Sequence, residues 1–285
     1  MEKPINLYGT SIKEEYYKPS GYSPVIIFEG ADHKMFAIDE PSVYKNIVLT
    51  GSAGTGKTNV MNQILMQTLS WNNELPAFHI IFDTKADYIT HKGFFRPGDY
   101  IIGNSPTFRK RSVAWNIFDE VLIDNNSIPT ATDEEQEYEI NAKEIAKIIF
   151  HDRGSTTQPF FANAARDIFA HTIIYFIRRY RDNYPEWKDK LNNYELKKFL
   201  LKWGPSDFKK FFRIYPDMRG LISYFDTDAK GQAQSVFSEL RSMVYECFQG
   251  VFAKKPEGNS FSVRKESNHE NHRMRKLRRN VRTCG

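Results

Sequence analysis

The stretch VLTGSAGTGKTNV, residues 48–60, joins an apolar run, a glycine-rich turn and the start of a helical pattern. Gly51, Gly56, Lys57 and Thr58 fit the pattern G-x-x-x-x-G-K-[ST] without a mismatch. Glycines let such a turn curl with its backbone N–H groups pointing inward, and the N-terminus of the following helix favours negative charge. The stretch therefore predicts a loop that binds the phosphates of a nucleotide.

The residue types in the loop give its positions their roles. We expect the Lys57 ammonium group to reach the β- and γ-phosphates, and the Thr58 hydroxyl to take one place in a Mg²⁺ octahedron. Lys57 and Thr58 are the predicted catalytic residues, and Thr58 is also the predicted metal ligand. ATP with Mg²⁺ is the predicted cofactor, because no segment resembles the N-K-x-D sequence that reads guanine. The residues predicted to bind the nucleotide are Gly51, Ser52, Ala53, Gly54, Thr55, Gly56, Lys57, Thr58, Asn59 and Asp83.

Hydrolysis needs one more group, an acidic side chain on another strand that completes the Mg²⁺ shell. Segments that end in acidic residues offer Asp83, the pair Asp119-Glu120, and Asp226. Each has a structural interpretation as well: Asp83 ends an ordinary strand, Asp119 follows a loop-like turn, and Asp226 lies among helices. We include Asp83 in the candidate site, although the sequence identifies no clear acidic residue for this role.

Apolar runs on both sides of the loop predict the strands of a sheet. Residues 46–50 lead into the loop, residues 78–83 follow its helix, and residues 99–104 come next. A strand, a helix and a second strand in this order form a βαβ unit, which favours a parallel sheet. Two shorter runs, 24–30 and 34–40, predict a hairpin or two edge strands.

The character of the sequence changes after residue 130. Apolar residues recur at helical spacing, and no strand pattern interrupts them between residues 131 and 250. The predicted helical segments are 133–150, 159–180, 193–203, 206–215 and 230–248. The chain is therefore predicted to contain an N-terminal arm, a nucleotide-binding α/β domain, an all-α domain, and a return segment with a basic tail. Their ranges are 1–20, 21–130, 131–250 and 251–285.

Composition limits the classes of protein to which the chain can belong. It is 40% hydrophobic and 26% charged, as in ordinary globular proteins. No window approaches the ~18 consecutive apolar residues of a membrane span, and two cysteines favour a reducing cytosolic setting. The formal net charge of +5 comes from the tail, since eight Lys or Arg stand against two Glu from Arg264 to Gly285. Net charge therefore gives no general argument for nucleic-acid binding.

An ordered set of segments resembles one family, the coupling proteins of type IV secretion and conjugation systems. The resemblance runs from about residue 20 to residue 265. Asp83, Lys85 and Asp87 match the family's acidic-basic-acidic positions, and Ala86 replaces a small Gly or Ser. The matching segments are NIVLTGSAGTGKTNVMNQIL (46–65), IIFDTKAD (80–87), PGDYIIGNSP (97–106), AWNIFDEV (114–121), QPFFANAARDIFAHTIIYF (158–176), KGQAQSVFSELRSMV (230–244) and FSVRK (261–265).

The resemblance implies a fold and a function as expectations. The fold is α/β, with an incomplete RecA-like P-loop parallel sheet and an inserted all-α domain. The function is that of an ATP-binding motor that moves single-stranded DNA or a relaxase–DNA substrate towards the secretion channel. The implied partners are that substrate, other subunits of the channel and further copies of the chain in a homo-hexamer. The implied location is cytoplasmic, at the inner face of the bacterial inner membrane.

The chain departs from the family pattern at both ends. The family usually carries transmembrane helices before this region, and an acidic Mg²⁺-shell strand after the segment FSVRK. The hydrophobic pattern collapses near Glu266, so we interpret residues 266–285 as sequence outside the family, such as a frame change produces. The motor is then truncated before its Walker B strand, and weak or absent turnover is expected. A basic arm that binds DNA or anionic lipid is the alternative interpretation of this tail.

Other interpretations stay open for the whole chain and for two of its segments. The chain is alternatively a decayed or accessory P-loop protein without catalysis, or a stand-alone P-loop kinase. Against a kinase stand the long helical insert and the lack of an evident site for an acceptor substrate. Trp115 is interpreted as a packing residue. The basic aromatic segments 176–181 and 208–213 are interpreted as solvated helix faces, with contact to single-stranded DNA as the alternative.

Overall fold

The computed structural model describes residues 24–29, 33, 35–43, 45, 47–70, 79–90, 94–95, 98–122, 133–151, 159–182, 184–225, 230–257 and 260–265. The chain divides into two compact units, Met1–Pro97 and Gly98–Gly285. The predicted domain limits at residues 20, 130 and 250 stay predictions. Within the described ranges, none of the helices combines the length and the hydropathy that a membrane span requires.

The first unit begins with the predicted hairpin. β1 (Pro24–Glu29) pairs antiparallel with β2 (Met35–Asp39), in a register that sets Ile26 opposite Ile38. Ile26 is buried and the next residue, Ile27, is exposed, as expected of a small sheet with one covered face. The prediction of a hairpin in this part of the chain is confirmed.

The described part of the first unit continues with three helices, and one side chain joins the longest of them to the hairpin. They are α1 (Glu40–Val43), α2 (Lys57–Ser70) and α3 (Asp87–Thr90). The Gln67 amide of α2 accepts a hydrogen bond from the Ile27 N–H at 2.8 Å and donates one to the Ile27 carbonyl at 2.9 Å. Gln67 therefore pairs with β1 as a neighbouring strand would, and it fixes α2 against the hairpin.

The predicted parallel, RecA-like sheet is wrong for the described residues. Their only sheet is the two-stranded antiparallel pair of β1 and β2. The runs 47–50, 79–83 and 99–104, which the sequence predicts as strands, are irregular. Apolar composition gives a segment a propensity for strand, whereas a strand forms only when a neighbour takes its backbone hydrogen bonds. In the run 79–83, Ile80 is accordingly exposed by 78% and Phe82 by 92%, whereas Ile101 in the run 99–104 is buried. The fold is mostly helical rather than α/β.

The second unit is built from helices. In chain order they are α4 (Pro106–Arg109), α5 (Ile117–Val121), α6 (Asp133–Ile149), α7 (Pro159–Arg181), α8 (Asn193–Lys202), α9 (Pro205–Arg213) and α10 (Lys230–Cys247). Short 3₁₀ helices lie at Pro185–Lys190, Pro216–Tyr224 and Gly250–Ala253. The five predicted helical segments are confirmed with nearly the same ends, because their apolar spacing is a local property of the chain.

The centre of the helical core is α7. It packs chiefly against α6 and α10, and its side chains Ile168, Phe169 and Ile173 are fully buried. The Phe176 ring of α7 lies 5.0 Å from the Trp187 ring, centroid to centroid, in an edge-to-face arrangement. Full burial of one such side chain stabilises a fold by about 1.5–3 kcal/mol, so the residues of α7 dominate the stability of this unit.

One charged residue of α7 lies inside this core. Arg178 is only 8% exposed, although its segment is predicted to form a solvated helix face. Its guanidinium donates to Asp217 Oδ1 at 2.8 Å, to the Tyr138 hydroxyl at 3.2 Å and to the Glu139 carboxylate. Burial raises the pKa of Tyr138 to about 12, and the hydrogen bond from Arg178 lowers the pKa of Asp217. The buried charge is therefore paired, as burial of a charge requires.

An asparagine joins a loop of the second unit to the end of α10. Asn104 Oδ1 accepts from the Val251 N–H at 2.8 Å, and Asn104 Nδ2 donates to the Gln249 carbonyl at 3.1 Å. Gly250 lies between these two partners with a left-handed φ of 53°. A Cβ on Gly250 would lie 2.2 Å from Asn104 Oδ1. Both the backbone angle and the close approach therefore require glycine here.

Candidate functional site

The backbone of residues 51–58 has the shape of a phosphate cradle. Gly54 and Gly56 adopt left-handed φ angles of 78° and 85°, which glycine reaches without strain. At Gly51 a Cβ would lie 2.6 Å from Thr55 Oγ1, so this position also has no room for a side chain. The turn ends at Lys57, the first residue of α2. The backbone conformation of this turn therefore accounts for the glycines of the sequence motif.

The Lys57 side chain lies across the mouth of this turn. Its ammonium group donates to the Gly51 carbonyl at 2.6 Å and to the Ser52 carbonyl. The Thr55 hydroxyl donates to the same Ser52 carbonyl at 2.9 Å and so closes the turn from the other side. A single flexible cation thus lies beside the curled backbone, which is the arrangement that a phosphate-binding lysine needs.

The chemistry of the first turn of α2 suits an anion. Its leading N–H groups have no partner within the helix, and the helix dipole adds partial positive charge at this end. No acidic residue lies in that turn. Thr58 and Asn59 follow Lys57 there, and both are exposed. The residue types present therefore fit ATP and Mg²⁺, for which Lys57 would hold phosphate and Thr58 would hold the metal. Nucleotide binding by this loop stays a prediction.

Asp83 caps a helix, a role that was not predicted from the sequence. Its carboxylate accepts hydrogen bonds from the N–H groups of Asp87 at 3.1 Å, Tyr88 at 3.0 Å and Ile89 at 3.4 Å. It thereby caps the N-terminus of α3, as an aspartate commonly does. A signal was present in the sequence, since an Asp precedes a short helical run by four residues. A role for Asp83 in the Mg²⁺ shell stays a prediction.

The turn between Asp83 and α3 contains a residue with an unusual backbone angle. Ala86 is buried and has a left-handed φ of 66°. Few residues with a Cβ tolerate this region, so a Gly at the position would be unstrained. Lys85 is exposed beside it, and Asp87 is the first residue of α3. The three matched positions Asp83, Lys85 and Asp87 thus belong to one capped turn.

Asp119 and Glu120, the second acidic candidates, join two distant segments of the chain. The mostly buried Asp119 carboxylate pairs with Lys265 Nζ at 3.4 Å and accepts from the Ser260 hydroxyl. Glu120 accepts from the backbone N–H groups of Val263 at 2.8 Å and Arg264 at 3.2 Å. The two carboxylates therefore hold the return segment 260–265 against α5. Asp226, the third candidate, lies outside the described residues.

Trp115 belongs to the same junction. Its indole N–H donates to Glu120 Oε1 at 3.1 Å, and its ring meets Phe252 edge-on at 6.2 Å. Trp115 also forms an isolated parallel bridge with Phe261, whose N–H donates to the Ala114 carbonyl at 2.8 Å. These contacts confirm that Trp115 is a packing residue. They also join the segments AWNIFDEV and FSVRK, which are distant in the sequence.

Comparison with known proteins gives one family. The model of the type IV secretion-system coupling protein DNA-binding domain matches residues 35–274, which include both the phosphate loop and the helical unit. The match extends to residue 274, so the interpretation of residues 266–274 as sequence outside the family is wrong. No curated protein and no solved structure matches the chain. The resemblance inferred from the sequence is confirmed, and the chain belongs to the family of type IV secretion-system coupling protein DNA-binding domains.

Proposed function

We propose that the chain is an ATP-binding motor domain of a type IV secretion coupling protein, which moves single-stranded DNA or a relaxase–DNA substrate towards the secretion channel. The observation that carries this proposal is the loop 51–58. Its left-handed Gly54 and Gly56 precede Lys57 at the start of α2, and this combination suits a nucleotide phosphate. The family match, which spans the loop and the helical unit together, supports a link between nucleotide binding and DNA.

Two residues of the loop would hold the nucleotide. Lys57 would exchange the carbonyl oxygens of Gly51 and Ser52 for phosphate oxygens, which are stronger partners because they carry charge. The hydroxyl of Thr58 would hold the Mg²⁺ ion. Mg-ATP, when bound, supplies the phosphoanhydride bond whose cleavage drives movement. Because Gln67 fixes α2 to β1, the cradle is supported from behind while Lys57 changes partners.

Substitution of Lys57 tests the loop directly. In Lys57→Ala we expect the affinity for a fluorescent ATP analogue to fall about 10- to 100-fold, because a charge-assisted hydrogen bond contributes about 1.5–3 kcal/mol. The measurement is a fluorescence titration of the full chain in the presence of Mg²⁺. The control is Lys254→Ala, which removes an exposed lysine outside the loop and outside the turn of Asp83. Equal affinities of Lys57→Ala and the unsubstituted chain would refute nucleotide binding at this loop.

A second candidate function is a nucleotide-binding accessory protein that does not hydrolyse ATP. The observation that favours it is the engagement of Asp83 and Asp119 in structural contacts, the first as a helix cap and the second with Lys265. Steady-state ATPase assays with and without single-stranded DNA separate the two functions. DNA-stimulated turnover supports the motor, whereas nucleotide binding without turnover under both conditions supports the accessory protein.

The assembly and the location form part of the same proposal. By family resemblance, six copies form a ring at the cytoplasmic face of the bacterial inner membrane, next to other subunits of the channel. Sedimentation of the full chain with ATP, Mg²⁺ and single-stranded DNA tests the ring. A species of sixfold mass supports it, and a monomer under all these conditions contradicts it.

A further inference from the structure

A cleft in the second unit combines aromatic rings with lysines. It has a volume of about 300 Å³ and lies between α7, α8, α9 and the 3₁₀ helix Pro185–Lys190. This volume is at the lower end of the range of pockets that take small ligands. Neither the phosphate loop nor the junction at Glu120 contributes to its lining. The phosphate loop alone therefore does not account for this cleft.

Helix α8 supplies the central side chains of the cleft. Lys198-Phe199 and Lys202-Trp203 repeat a lysine–aromatic pair four residues apart, so that both pairs point to the same side. The rings of Phe199 and Trp203 are half-buried, although fully buried core lies directly behind them. Phe211 of α9 completes the floor, with ring centroids 4.9 Å from Phe199 and 5.7 Å from Trp203. The cleft thus presents aromatic surface that the protein leaves accessible.

The charge at the rim is positive. Lys190, Lys198 and Lys202 line the cleft, and Glu195 is its single acidic residue. Glu195 lies 3.9 Å from the Lys198 ammonium group and offsets only part of this charge. The other two lysines lie over rings, Lys190 over Trp187 at 4.3 Å and Lys202 over Trp203 at 4.4 Å from the ring centroid. The cleft therefore suits a ligand that carries both a flat ring and a negative charge.

We propose that this cleft binds single-stranded DNA, with one base stacked on the ring of Trp203 and the flanking phosphates on Lys198 and Lys202. The proposal rests on the proposed function and names the site at which the helical unit contacts the strand. Stacking of a base on an aromatic ring is more favourable than the cation–π contact of an exposed lysine with that ring. The base therefore displaces the Lys202 ammonium group from Trp203. The displaced ammonium group then pairs with a phosphate. Duplex DNA does not fit this mode, because its bases are already stacked.

The first experiment reverses two rim charges in the full chain. Binding of fluorescein-labelled oligo-dT is followed by anisotropy across a series of salt concentrations. In Lys198→Glu/Lys202→Glu we expect affinity to fall about tenfold or more and the log–log salt slope to shrink by about 1.4, the value for two phosphate contacts on a single strand. The matched control is Lys254→Glu/Lys255→Glu, which makes the same charge change on exposed lysines outside the cleft. If the reversed pair does not fold, Lys198→Gln/Lys202→Gln serves the same test.

The second experiment detects the stacked base. Oligo-dT should quench the tryptophan fluorescence of the chain, and Trp203→Phe should lose most of that quenching while it keeps most of the affinity. An oligonucleotide of abasic sites should bind at least about tenfold more weakly than oligo-dT, since it keeps the phosphates and lacks the stacking bases. Unchanged quenching in Trp203→Phe, or equal binding of the abasic strand, would refute stacking of a base on Trp203.

The outcomes distinguish the cleft from the proposed function. If the chain binds oligo-dT but the cleft variants bind as tightly as the control, DNA binding at the cleft is refuted and the motor proposal stands. If the chain binds no single-stranded DNA, both are overturned for this substrate, while the titration of Lys57→Ala still tests the loop. Equal displacement of oligo-dT by poly-glutamate identifies a general polyanion site, which contradicts the proposal.

Discussion

Ala86 is a residue with an unusual backbone angle. It lies in the turn that Asp83 caps, and its φ of 66° falls in the region that favours glycine. The energetic cost of a left-handed residue with a Cβ is about 1–2 kcal/mol, and burial of the alanine methyl group offsets part of it.

Substitutions of Ala86 should therefore be strongly asymmetric. Ala86→Gly should change the free energy of unfolding by less than about 1 kcal/mol, since relief of strain balances the lost methyl and the added freedom of the unfolded chain. Ala86→Val should lower it by about 2 kcal/mol or more, because a β-branched residue fits this region poorly. Urea unfolding followed by far-UV circular dichroism measures both. Equal effects of the two substitutions would contradict the left-handed angle.

Arg178 is a second residue whose environment could not be anticipated from its neighbours in the sequence. The segment FIRRYR resembles an exposed basic helix face, yet Arg178 is paired inside the core. Arg178→Ala removes the charged donor to the Tyr138 hydroxyl and to the carboxylates of Glu139 and Asp217.

We expect Arg178→Ala to lower the free energy of unfolding by about 2–3 kcal/mol, below the usual cost of a broken buried pair because Asp217 is partly exposed. The control Lys147→Ala removes an exposed pair with Glu144 and should cost less than about 1 kcal/mol. The same urea experiment measures both variants. Similar losses for the two would contradict a paired buried charge.

At the scale of elements, the end of α10 depends on a loop far away in sequence. Asn104 binds the backbone on both sides of Gly250 and so fixes where the chain turns after the helix. Helical periodicity predicts α10 itself, but it does not predict the partner that stops it. The glycine and the asparagine are separated by 146 positions and meet only in the folded unit.

Two glycines close in sequence should respond in opposite directions to the same substitution. Gly250→Ala should lower the free energy of unfolding by at least about 2 kcal/mol, because its Cβ would collide with Asn104 and its φ is left-handed. Gly231→Ala, within α10 and with nothing near its added Cβ, should raise it by about 0.5 kcal/mol. Thermal unfolding compares the two variants directly. A stable Gly250→Ala would show that Asn104 does not confine this turn.

At the scale of the whole molecule, one carboxylate connects the beginning and the end of the second unit. Glu120 binds the Trp115 indole on its own segment and the backbone of Val263 and Arg264 on the return segment. Secondary structure contributes little here, since the described pairing of the two segments is one isolated bridge. Hydrogen bonds to a side-chain acceptor, rather than strand pairing, therefore hold the two segments of this unit together.

Removal of the Glu120 carboxylate should release the return segment. In Glu120→Ala we expect the free energy of unfolding to fall by about 1–3 kcal/mol, because the N–H groups of Trp115, Val263 and Arg264 lose a charged acceptor. Trypsin should also cleave faster after Arg264 and Lys265. Glu120→Gln should restore part of the loss, because its amide oxygen still accepts. The control Glu246→Ala, an exposed acid on α10, should behave like the unsubstituted chain. Unchanged proteolysis in Glu120→Ala would contradict this junction.

The sequence was sufficient for features that depend on neighbours along the chain. The helices of the second unit, the hairpin of β1 and β2, and the left-handed glycines of the loop 51–58 all follow from local spacing or local backbone freedom. The family was also accessible, because its motifs are ordered along the chain. Tertiary structure alone decided which apolar runs become strands, that Arg178 is buried, that Asp83 caps a helix, and that lysines and aromatic rings form a cleft. Each of these depends on a partner from elsewhere in the fold, and periodicity carries no information about distant partners.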